Sequence, residues 1–168
     1  SFDIDAIVHV TPISTLIMAS SDSASLLQAF NLAQSKSDIM AMDIWSSAND
    51  GDQNAKNIMR VNLQIGMVLS AAQNLLSTQP SISIVKSRSL AAEKLANIIN
   101  TKQKAIYSKA SLNEYFTNII LEISEDINFD SELIEVLANS IADINSLLEE
   151  KSLDPVSNIT TEILLFSR

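Results

Sequence analysis

The chain contains no Cys, one His, two Gly and three Pro in 168 residues, and only 5% of it is aromatic. Each scarcity excludes something. Without Cys there is neither a disulfide framework nor a thiolate site. A single imidazole cannot supply the multi-histidine ligand sets of common zinc centres. Two Gly leave no glycine-rich phosphate loop, and too few special turn positions for a fold built from hairpins. No run approaches the ~18 uninterrupted apolar residues of a membrane span, so no membrane insertion is expected. The opening Ser1-Phe2-Asp3-Ile4-Asp5 has neither the basic start nor the apolar centre of a secretory leader.

What the chain has is aliphatic. Apolar residues make up 46% of it, mostly Leu, Ile, Val and Ala with five Met. That is ample for a core, and the length suits one domain. The expected fold is all-α: a multi-helix bundle of four substantial helices plus short ones. A short N-terminal extended segment, residues 1–10, would act as a linker or strand from a preceding domain. Residues 11–168 would form the single helical domain.

The periodicity supports that division. Phe2, Ile4, Ala6, Val8 and Val10 alternate with Asp3, Asp5, Ile7 and His9, the period of a strand. A lone strand needs a partner, either outside this chain or as an extended arm packed on it. Thr11-Pro12 then has the form of a capped helix start, for a short helix to about residue 20. A second starts at Asp22 or Ser23 and carries Leu26, Leu27, Phe30 and Leu32. A third, capped by Asp38, holds Ile39, Met40, Met42, Ile44 and Trp45. Asn49-Asp50-Gly51-Asp52 is the clearest turn. The longest helix, about 52–77, bears two apolar rows. One is Ile58, Val61, Ile65, Val68, Ala72 and Leu75; the other is Met59, Leu63, Met67 and Ala71. Two rows imply a central helix with neighbours on more than one side. A helix over 81–103 puts Val85, Ala92, Leu95, Ile98 and Ile99 inward, and 100–110 is a polar loop or frayed end. Ser111-Leu112-Asn113-Glu114 is a capping-box pattern opening a helix with Leu112, Tyr115, Phe116, Ile119, Ile120 and Ile123 inside. Asp130 caps a helix with Ile134, Leu137, Ile141, Ile144 and Leu148 inside. Asp154-Pro155 starts a last short helix with Ile159, Ile163, Leu164 and Phe166.

Candidate sites are few, and each has a plain structural explanation. His9 has Asp3 and Asp5 nearby in sequence, but lies opposite the apolar side of its segment. Asp50 and Asp52 are the weak calcium candidates. A loop begun at Asp50 has oxygen ligands at its first, third and fifth positions. It then has Ala55 where Gly is required and Val61 where the bidentate Glu belongs. Helix capping explains Asp52 better. Glu125-Asp126 and Glu149-Glu150 are adjacent carboxylates with the look of solvated helix ends. Trp45, Tyr107 and Tyr115 are potential partner anchors, although Trp45 and Tyr115 fall among apolar residues and are expected in the core. Met40, Met42, Met59 and Met67 suit core filling or an adaptable groove. Asn158-Ile159-Thr160 is a weak glycosylation sequon. No catalytic residue, cofactor or metal is expected.

Charge is uneven. Residues 86–109 hold six bases (Lys86, Arg88, Lys94, Lys102, Lys104, Lys109) and one acid, whereas residues 110–154 hold eleven acids and one base. The basic stretch has one aromatic, Tyr107, and lacks the interleaved stacking residues of a nucleic-acid surface. Pairing of opposite charges within the fold is the expected use, with no nucleic-acid partner.

The segment Val8-His9-Val10-Thr11-Pro12-Ile13-Ser14-Thr15-Leu16 resembles a V-x-T/N-P-L-T-T-L lead-in. That lead-in recurs in helical modules of very large bacterial surface proteins, including adhesin-like proteins of cyanobacteria and other Gram-negative bacteria. Phe30-Asn31-Leu32, Gly51-Asp52-Gln53-Asn54-Ala55 and Arg60-Val61-Asn62-Leu63-Gln64-Ile65 resemble later elements of such modules. Asp43-Ile44-Trp45-Ser46 stands where those modules carry a Pro and lacks it. The likeness spans about residues 6–80. It implies an extracellular or cell-surface, non-enzymatic structural or protein-binding module, partnered by neighbouring domains of a longer chain or by another protein. A ligand-sensing or small-molecule-binding extracytoplasmic bundle is the alternative, and it requires a cavity with convergent polar groups.

Overall fold

Among the described residues the chain forms eight α-helices and one short 3-10 helix, Ala105–Tyr107. In this computed structural model the described residues are 10–77, 83–102, 104–122 and 130–150. The alternating segment 1–9, the carboxylates Glu125 and Asp126, and the helix expected after Pro155 lie outside them. The helices are α1 (Pro12–Ala19), α2 (Ser23–Ala29), α3 (Lys36–Ala41), α4 (Ile44–Asn49), α5 (Gln53–Ser77), α6 (Ile84–Thr101), α7 (Lys109–Leu121) and α8 (Ser131–Glu150). Among the described residues there is no strand, and the all-α multi-helix bundle stands.

The first four helices have six to eight residues each, too few to persist on propensity alone. Side-chain caps close them. Thr11 and Ser14 form a reciprocal capping box at α1. Asp22 accepts from the Ser25 amide at 3.0 Å, and Asp43 accepts from the Ser46 amide at 3.1 Å. The α3 cap is Ser35 and not Asp38, which instead serves as the third helical residue of a box with Ser35. The apolar stretch expected as one helix over 39–45 is two, because Asp43 captures Ser46 and starts the chain anew.

α5 is central, as its two apolar rows required, and it packs against α1, α4, α6, α7 and α8. Ile58, Val61, Ile65, Val68, Ala72 and Leu75 are buried, and the Met59 and Met67 row is half-buried. α1 meets α5 at Gly66, where a Cβ would sit 3.4 Å from Pro12 Cγ, about van der Waals contact. Beside it the free Ile13 amide of the first α1 turn donates to Asn62 Oδ1 at 2.8 Å.

Four expectations shift. Val85 is 78% exposed. α7 runs antiparallel to α6, with Lys94 on Glu122 at 3.0 Å and Lys102 on Glu114. The described part of α7 therefore ends opposite Lys94, about 13 Å along the helix from Val85. α7 begins a turn before Ser111, capped by Ser108, which accepts from the Ser111 amide; Ser111 itself is buried. The α8 face is rotated: Ile134, Ala138, Ile141, Ala142 and Asn145 are buried, whereas Leu137, Ile144 and Leu148 are only half-buried. The 100–110 stretch is partly core, since Ala105 and Ile106 are buried after Lys104 turns the chain at φ 58°.

Candidate interaction groove and buried polar lattice

Two features stand out from a bundle whose core is mostly aliphatic. The first is an apolar groove where the chain enters the domain. Val10 and Pro12 form one wall, Met42 and Trp45 a second, and Met59 and Leu63 of α5 the floor; its volume is about 350 Å³. The Ile13–Asn62 bond ties α1 to α5 beside the groove. Trp45 was expected in the core and is 58% exposed. The reason is helical phase: within α4 the buried positions are Ile44 and Ala48, four apart, and the next residue after Ile44 turns outward. A second open groove, about 610 Å³, lies between α2 and α3 along Leu27, Asn31, Leu32 and Ser35. Both are open to solvent.

The second feature links α5, the 3-10 helix and α8. Gln64 and Asn145 are fully buried. Gln64 Nε2 donates to the Asn145 carbonyl at 2.9 Å, and Asn145 Nδ2 donates to the Ile106 carbonyl at 2.8 Å. The Tyr107 hydroxyl has two acceptors for its one proton, Gln64 Oε1 at 3.2 Å and Glu149 Oε2 at 3.0 Å. Arg60 pairs with the same Glu149 carboxylate. Asn145 Oδ1 and Arg60 Nε are buried without hydrogen-bond partners. Burial, reinforced by the Glu149 charge, pushes the Tyr107 hydroxyl well above its ordinary value. The neutral hydroxyl of Tyr107 is thereby favoured as a donor. The lattice crosslinks three elements.

Asp50 ends α4. Asp52 Oδ1 accepts from the Asn54 amide at 2.8 Å and the Ala55 amide at 3.3 Å, so it caps α5. Gly51 between them has φ 96°, which favours Gly there. Among the described residues no three His, Cys, Asp or Glu side chains converge as metal ligands, and no helix is long and apolar enough to cross a membrane. His9, the sole imidazole, lies outside the described residues. Tyr115 is core: fully buried, its hydroxyl donates to the Ala91 carbonyl at 3.0 Å. Met40, Met42, Met59 and Met67 are all half-buried, and only Met42 and Met59 line the groove. Three of the six bases of the 86–109 stretch pair with acids of α7, α8 or the α7 end: Lys94 with Glu122, Lys102 with Glu114 and Lys109 with Asp143. In comparisons with known protein families, with curated proteins and with solved structures, the chain matches none.

Proposed function

We propose that this chain is a non-enzymatic helical module of a large bacterial cell-surface, adhesin-like protein, and that its groove docks the domain preceding it in the same longer chain. The observation that carries the reading is the position of the groove. Val10, Thr11 and Pro12 line it, so whatever is joined through residues 1–10 is tethered at its rim. Ten extended residues reach at most about 33–36 Å. A short tether holds a partner at an effective concentration on the order of millimolar, so modest contacts suffice for docking. The walls are Trp and Met, an aromatic anchor and adaptable apolar side chains. The lead-in at Val8–Leu16 adds the surface context.

The test is topological. An antibody raised against the folded domain is applied to intact cells that produce the full-length protein, with and without external protease. The reading expects labelling of intact cells that the protease removes. Labelling that appears only after permeabilisation overturns it.

A further inference from the structure

The large apolar side chains that the fold leaves outside are not scattered. Of the nine exposed among the described residues, five belong to one end of the bundle: Ile84 and Val85 of α6, Leu121 of α7, and Leu133 and Val136 of α8. The ion pairs show why these share an end. Lys94 on Glu122 and Lys102 on Glu114 set α7 antiparallel to α6. Lys109, the first residue of α7, sits on Asp143 in the second half of α8, and α8 ends at Glu150, so α7 packs back along the first half of α8. α6 and α8 therefore start at the same end, with α7 packed against both. Single exposed leucines are ordinary; a group gathered at one end marks an interaction surface.

Charge divides that end in two. On α6, Lys86 and Arg88 are exposed beside Ile84 and Val85, and Arg88 lies one turn from Ile84. On α8, Glu132 and Glu135 are exposed beside Leu133 and Val136, and Glu132 lies one turn from Val136. None of these four charges joins an ion pair among the described residues.

We infer that this end is a contact between two copies of the chain, with the first turns of α6 in one copy on the first turns of α8 in the other. Each copy carries both halves of the contact: an apolar pair edged by bases and an apolar pair edged by acids. A two-fold pair therefore makes the contact twice, base on acid each time. Setting α8 on α8 would instead oppose acid to acid. The net charge of −9 repels copies at longer range, and the apolar residues on each side are few, so the pair is weak and concentration-dependent.

The test swaps the charges. One variant carries Lys86→Glu with Arg88→Glu, the other Glu132→Lys with Glu135→Lys. All four positions are exposed, and circular dichroism checks that each variant folds. Sedimentation velocity from micromolar to millimolar concentration reads the mass. The native chain should move from monomer toward dimer. Each variant alone should associate at least about tenfold more weakly, because it sets like charges together. The second variant has less net negative charge, so general repulsion alone would make it associate more. An equimolar mixture of the two should recover the dimer, since the acidic α6 of one meets the basic α8 of the other and the reverse contact keeps its native signs. A native chain that stays monomeric throughout overturns the inference. So does a dimer as strong in either variant as in the native chain, or a mixture that associates no better than its components.

Discussion

Replacing the buried amide of Asn145 by a carboxylate tests whether the polar lattice holds α8 in place. Asn145→Asp keeps the size of the side chain. It removes the donor that meets the Ile106 carbonyl at 2.8 Å and turns an already unpartnered oxygen, Asn145 Oδ1, into part of a charge. An uncompensated buried charge costs about 3–5 kcal/mol. With a urea slope of about 1–3 kcal/mol per molar, the unfolding midpoint at pH 7 should fall by about 2 M. Burial would hold the new carboxyl above its unfolded value, so the unfolded state loses its proton first as pH rises. The deficit should therefore shrink as pH falls toward about 4 and grow as pH rises. Asn145→Leu provides the comparison. It strands only the Ile106 carbonyl, at a cost of about 1–3 kcal/mol that does not depend on pH. The assay is urea unfolding followed by circular dichroism at pH 4.5 and pH 7. Asn145→Asp within about 1 kcal/mol of the native chain at pH 7, or with no more pH dependence than Asn145→Leu, would refute the reasoning.

Other expectations follow from the same contacts. Tyr115→Phe removes the hydroxyl's bond to the Ala91 carbonyl, which stays in the α6 ladder, and should cost about 0.5–1.5 kcal/mol in urea unfolding. Asp52→Ala should destabilise by about 0.5–2 kcal/mol through the lost α5 cap, by the same amount with or without added calcium; a calcium-dependent thermal shift of the native chain would contradict the capping role. Hydrogen bonds from the Ser25 amide and hydroxyl hold the Asp22 carboxyl below the usual carboxylate range. The Ser25 amide protection that depends on it is therefore present at neutral pH and lost only as pH falls below that range, as NMR titration would show. Burial raises both Tyr107 and Tyr115, so their contribution is intact below about pH 10 and stability should fall as pH rises beyond it, when unfolded tyrosines ionise first.

Much of this fold is readable from apolar spacing and capping residues. The α5 stripe, the α2 core residues and the described α7 face all lie where periodicity puts them, because their apolar positions recur at helical spacing among polar ones. α8 misleads for a physical reason. Apolar residues cover more than half of its circumference, so spacing shows that it is amphipathic but not which side packs inward. Its burial centre falls on Asn145, between Ile141 and Leu148. Gln64 is hidden likewise, sitting next to Ile65 and three residues past Val61. The signal for both was a polar residue inside an apolar stripe, four residues from a charged one: Arg60 before Gln64, Glu149 after Asn145. Trp45 shows the opposite failure. Apolar neighbours suggested burial, but α4 has only six residues and one buried side, and Trp45 is on the other.

The proposed docking role rests on what meets Trp45 in the longer protein. The most direct measurement places a photo-crosslinking phenylalanine analogue at position 45 of the full-length chain and identifies the crosslinked peptide by mass spectrometry. The account predicts an adduct with the domain immediately preceding residue 1. A folded protein in which position 45 yields no adduct, or joins only to sequences outside that chain, contradicts it.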